Sequence, residues 1–153
     1  MSATVRATFV NLREFEAQLK RLENAPAEHA LVTAAKAGGT IIRDAAAQKA
    51  PKRADILARS IHVEVIDASR HRAWVAIGTY LSYARIHEFG GIIKPKDPTG
   101  WLRFRTYDGE WHTVKLVHMP AKPYMRPAWD ENIDRAVREM GEVLKAQIER
   151  AAR

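Results

Sequence analysis

The chain has 153 residues, no cysteine, 46% hydrophobic residues and a formal net charge of +7. That length suits one ordinary domain, and the lack of cysteine excludes a disulfide framework and thiolate chemistry. No run approaches the roughly eighteen apolar residues of a membrane span, and "MSATVRATFV" lacks the charged-then-apolar layout of a secretion signal, so a cytosolic, globular chain is expected.

The charge is uneven. Residues 1–42 carry five Lys/Arg against four acids and residues 127–153 carry five against six, whereas residues 43–126 carry fifteen against eight. The whole excess is central. It suits a polyanion such as DNA, or a solvated surface with no such partner.

Val5, Ala7 and Phe9 alternate with Arg6 and Thr8, the period of a half-buried strand. Asn11 can cap a helix over 12–23, with Glu14 three residues on and Val10 and Phe15 in the two staple positions. A second, long helix is expected to begin near Pro26, a residue suited to a first helical turn. Leu31, Ala34, Ala35, Gly38, Ile41, Ile42 and Ala45 form its apolar stripe, and the small residues Ala34, Ala37 and Gly38 would let another backbone approach closely. Ala50-Pro51 should stop it, because the residue before proline disfavours helix geometry.

"SIHVEVI" alternates Ile61, Val63 and Val65 with His62 and Glu64, and "AWVAIG" follows after a polar turn. Together they predict an antiparallel hairpin. "YLSYARIHEFGG" has helical spacing through Leu81, Ala84, Ile86 and Phe89 and then two glycines that end it. Here Phe89 reads as an anchor into the core and Glu88 as a polar helix-end residue. "IIKPKDPTG" reads as a loop.

In "WLRFRTYDGEWHTVKLV" a two-residue turn at Asp108-Gly109 would put Leu102 and Phe104 on the face of Thr113 and Lys115. A three-residue loop, 107–109, instead groups them with Val114 and Leu116. Register follows burial, so the three-residue loop with Gly109 left-handed in a bulge is expected. From Pro127 onward one stripe dominates (Trp129, Ile133, Ala136, Val137, Met140, Leu144, Ile148), with Asp130, Glu131 and Asp134 in the opening turns and Arg150 and Arg153 at the close. That order suits a helix dipole. The fold class is α+β, one domain over 1–153: an antiparallel sheet of about four or five strands packed with two N-terminal helices and a long C-terminal helix.

Chemistry leaves little trace. His29, His62, His71, His87, His112 and His118 form no His-x-x-x-His pair, and His87-Glu88 lacks the second histidine of a zinc helix. There is no Gly-x-Ser-x-Gly elbow, phosphate-cradling loop or dinucleotide fingerprint. Gly38-Gly39 lies within a helical pattern and reads as a packing contact. No catalytic residue, cofactor or metal is expected. Trp74, Trp101, Trp111 and Trp129 could stack on bases, but core or subunit-interface packing is the favoured reading.

Three stretches, "APKRADILARSI", "YARIHEFGG" and "MPAKPYMRPA", occur in an order and spacing that resembles the tail-component, or neck, family of long-tailed bacteriophages. The type member of that family is the tenth gene product of coliphage Hong Kong 97. The likeness spans roughly 28–130. Ile56 stands where the family often has glycine, and Gly90-Gly91 where it commonly has Gly-Thr; in that pair the chain is also similar to the tail-completion proteins of Mu-like phages. The resemblance implies a virion part without enzymatic activity, assembled in the host cytoplasm. It would complete the tail and join it to the DNA-filled head as a homo-oligomeric ring, expected to be six-fold, around the DNA channel. Its partners would be itself and other neck and tail proteins, with no membrane. The implied interface or motif residues are Tyr83, Glu88, Phe89, Gly90, Gly91, Pro120, Pro123, Tyr124, Met125, Arg126, Pro127 and Trp129. Pro120, Pro123 and Pro127 would fix the angle of the C-terminal helix. Lys94 and Lys96 in the loop over 92–100, with Arg103 and Arg105 on the next strand, are the candidates for sequence-blind contact with the DNA backbone.

Overall fold

The computed structural model describes residues 24–51, 55–106 and 108–151. The strand and helix expected over 5–9 and 12–23 lie outside the described residues. In chain order the elements are α1 (Asn24–Lys49), α2 (Ile56–Ser60), β1 (His62–Ser69), β2 (Arg72–Gly78), α3 (Ala84–Phe89), β3 (Gly91–Ile93), β4 (Leu102–Arg105), β5 (Trp111–Val114), β6 (Val117–Met119) and α4 (Met125–Ala151). The α+β class holds. The strands, however, do not join one sheet of four or five; they form three antiparallel two-stranded ladders, β1–β2, β3–β6 and β4–β5. Two compact units result, one from the described residues up to Tyr80 together with those from Tyr124 on, the other Leu81–Pro123.

The first unit is built on α1, which ends at Lys49, just before Ala50-Pro51. The buried positions of α1 are almost all small: Ala27, Ala30, Ala34 and Ala46, with Ile42 among them, and Ala50 is buried just past its end. Small side chains let the antiparallel helix α4 come close. Ala30, Ala34 and Leu144 form a buried cluster, flanked by Leu31, Met140, Val143 and Ile148. At the other end Lys49 Nζ reaches Glu131 Oε2 at 2.7 Å. Helix α4 starts at Met125 and carries no acid in its first turn. Asp130, Glu131 and Asp134 thus sit further in than the dipole argument required, since that effect fades beyond the first turn.

The two central glycines of α1 serve different neighbours. A Cβ on Gly38 would lie 2.6 Å from Met140, whereas one on Gly39 would lie 2.9 Å from Val63 and 3.6 Å from Val75. Gly38 therefore seats α4, and Gly39 seats the β1–β2 hairpin. In that hairpin Val63 faces Ile77 and Val65 faces Val75, so the apolar set lies on one side. The register slips between Val65 and Asp67, a bulge that leaves Ile66 as the extra, exposed residue.

Candidate assembly surface

The second unit begins with α3, which runs only from Ala84 to Phe89 rather than from Leu81. Its ends reverse the expected burial: Glu88 is 9% exposed and Phe89 is 63% exposed. A six-residue helix has too few turns for periodicity to fix which side faces inward. Gly90 ends the helix at φ 68°, with its N–H donating to the Ile86 carbonyl at 2.9 Å. A Cβ there would lie 2.8 Å from Ala121 N and 2.9 Å from the Met119 carbonyl oxygen. Only glycine fits so close a backbone crossing at that φ. The Lys122 N–H donates to the His87 carbonyl at 2.7 Å, and Gly91 pairs with Met119 in the β3–β6 ladder. Two of the three quoted stretches thus meet in space, "YARIHEFGG" against the start of "MPAKPYMRPA". Ile92 and Ile93 belong to β3, so the loop expected over 92–100 starts later than its sequence suggested.

The rest of the third stretch divides. Pro120 and Pro123 are exposed; Tyr124 is buried, and Met125, Pro127 and Trp129 are half-buried in the first turns of α4. Tyr83 is exposed and stands edge-on to His87, ring centroids 5.9 Å apart. His87 Nδ1 is buried and has no hydrogen-bond partner among the described residues.

The β4–β5 ladder pairs Leu102 with Val114, Arg103 with Thr113, Phe104 with His112 and Arg105 with Trp111. Thr106 N–H then donates to the Glu110 carbonyl at 2.9 Å, closing the expected three-residue loop with Gly109 at φ 89°. Tyr107, within that loop, lies outside the described residues. Asp108 accepts from the Thr106 hydroxyl and from the Glu110 N–H, and these two bonds, in that order, hold its carboxyl below the ordinary carboxylate range. The Thr99 N–H and then its hydroxyl do the same for Asp97.

One face of this ladder carries cations over aromatics. Arg103 lies over Trp111 at 4.8 Å and Lys115 over Trp101 at 4.2 Å from the ring centroid. Lys115 also donates to the Thr99 carbonyl at 2.9 Å and to the Gly100 carbonyl at 3.2 Å, tying down the loop that holds Lys94 and Lys96. Trp101 and Trp111 are 59% and 60% exposed, so neither packs in a core. Sequence reading missed these pairs, although the three-residue register already put Arg103 and Arg105 on the face of Trp111. No cluster of three or more His, Cys, Asp or Glu among the described residues could hold a metal ion, and no helix among them is long and apolar enough to cross a membrane.

A family model described as "Bacteriophage HK97-gp10, putative tail-component" matches residues 13–90. The chain belongs to this HK97-gp10-like family. Its role is accordingly that of a structural component of the phage tail, and so a part of the virion. The HK97-gp10-like match takes in "APKRADILARSI" and α3 as far as Gly90, while "MPAKPYMRPA" lies beyond it. No curated protein and no solved structure matches the chain.

Proposed function

We propose that this tail component completes the tail end and joins it to the DNA-filled head, as a closed ring of identical copies around the DNA channel. One observation carries the reading. Of eleven exposed large hydrophobic side chains among the described residues, seven lie in Leu81–Pro123, which holds a single buried hydrophobic residue, Ala84. Isolated two-stranded ladders are marginal in water. A unit near ~40 residues usually needs disulfides, metals or association. This one has no cysteine. Covering its aromatic surface with other protein supplies the missing burial, and a ring does so through contacts in which one surface meets a different surface of the next copy. No reaction is assigned to the chain. Micrographs of lysates from a phage deleted for this gene should show filled heads beside unattached tails. Normal virions from that deletion would end the proposal.

The second reading is a basic module that holds DNA without a virion role. Leu81–Pro123 carries seven Lys/Arg against four acids, with Lys94, Lys96, Arg103 and Arg105 all exposed. Filter binding to duplex DNA across a salt series separates the two, because phosphate contacts give a steep salt dependence.

A further inference from the structure

Two pairs of like-charged side chains, one basic and one acidic, make no ion pair among the described residues. On β4–β5, Arg103 and Arg105 share a face with Trp111, and neither arginine makes an ion pair among the described residues. On α4, Asp130 and Asp134 are exposed one turn apart and likewise make none. Gly141 continues the same flank of the helix, seven residues beyond Asp134. Among the described residues a Cβ at Gly141 would meet nothing within 4 Å, unlike Gly38 and Gly39, whose neighbours exclude one. Glycine is among the poorest residues for a helix interior. Packing among the described residues gives no reason for it at this position.

We propose that the Arg103–Arg105–Trp111 face of one copy docks on the Asp130–Asp134–Gly141 flank of α4 in the next copy. This rests on the assembly reading above and names the surfaces that would carry it. The arginines meet the two carboxylates, and an exposed tryptophan takes the space over Gly141. An apolar, aromatic surface gains from a protein cover, which removes it from water. Duplex DNA would answer the arginines alone and leave Asp130 and Asp134 without a partner. Because the two surfaces differ, each copy offers one to either neighbour, the arrangement that closes into rings.

Sedimentation velocity of the full chain over a concentration series at low salt tests the contact. The unmodified chain should associate. R103E/R105E and D130K/D134K should each weaken association at least tenfold, and the four changes combined in one chain should restore it, because every contact is then reversed on both sides. Gly141→Leu should raise or leave unchanged the melting temperature of the monomer and still weaken association, a split that a merely structural glycine would not produce. Three outcomes overturn the contact: an unmodified chain that stays monomeric throughout, association indifferent to both reversals, or a fourfold variant no better than its parents. Loss of duplex DNA binding in R103E/R105E that the fourfold variant does not recover, with association unchanged, assigns the face to DNA and also overturns it. Association that ignores both reversals removes these surfaces alone, whereas intact virions from the gene deletion remove the assembly reading itself.

Discussion

Gly38 of α1 and Met140 of α4 approach so closely that a Cβ on the glycine would lie 2.6 Å from both Cγ and Cε of the methionine. The Ala136 carbonyl oxygen, at 3.0 Å, blocks retreat on the backbone side. Met140 can bend away at its tip, but the carbonyl cannot. Gly38→Val should therefore destabilise the chain by about 1–3 kcal/mol through overpacking. Chemical denaturation measures it; a variant as stable as the parent would show that the helices separate without cost.

Gly109 sits at φ 89° in the β4–β5 loop, a conformation that costs a side-chain-bearing residue about 1–2 kcal/mol. Gly109→Val should lose about that much, more than a substitution at an ordinary exposed position. Thermal melts of the two kinds of variant side by side check this, and equal melting temperatures would contradict the bulged three-residue loop.

Lys115 ties the loop after β3 to the carbonyls of Thr99 and Gly100. Lys115→Met keeps the apolar stem and removes the donors. With about 1 kcal/mol lost from these exposed bonds, amide hydrogen exchange over 94–100 should speed up roughly fivefold, while exchange in α1 and α4 stays unchanged. Unaltered loop protection would mean that the loop is held by other contacts.

Asp108 titrates below the ordinary carboxylate range because it accepts first from the Thr106 hydroxyl and then from the Glu110 N–H. A depressed folded-state value means that its contribution to loop order is full above the unfolded-state pKa and disappears as pH falls through the folded-state value. Thr106→Val should move the Asp108 titration upward, as read from its side-chain carboxyl resonance by NMR. A titration that does not move would show the hydroxyl bond to be absent in solution.

Much of the chain is set by its local pattern. The end of α1 at Ala50-Pro51, the β1–β2 hairpin, the α4 stripe and the Gly109 loop follow from periodicity, proline sterics and the coupling of register to burial, all of which act over a few residues. So does the family, since its motifs are local strings. Other features required the folded chain. Two adjacent glycines of α1 point to different partners, and only the packing of α4 and the hairpin shows which takes which. In α3 the burial of Glu88 and exposure of Phe89 invert what polarity suggests, and Gly90, which ends the helix, meets Met119 and Ala121 in a backbone crossing more than twenty-five residues away in sequence. The division of the strands into three ladders, and the cations lying over Trp101 and Trp111, likewise depend on which distant segments pair. Short-range rules carry no information about that choice.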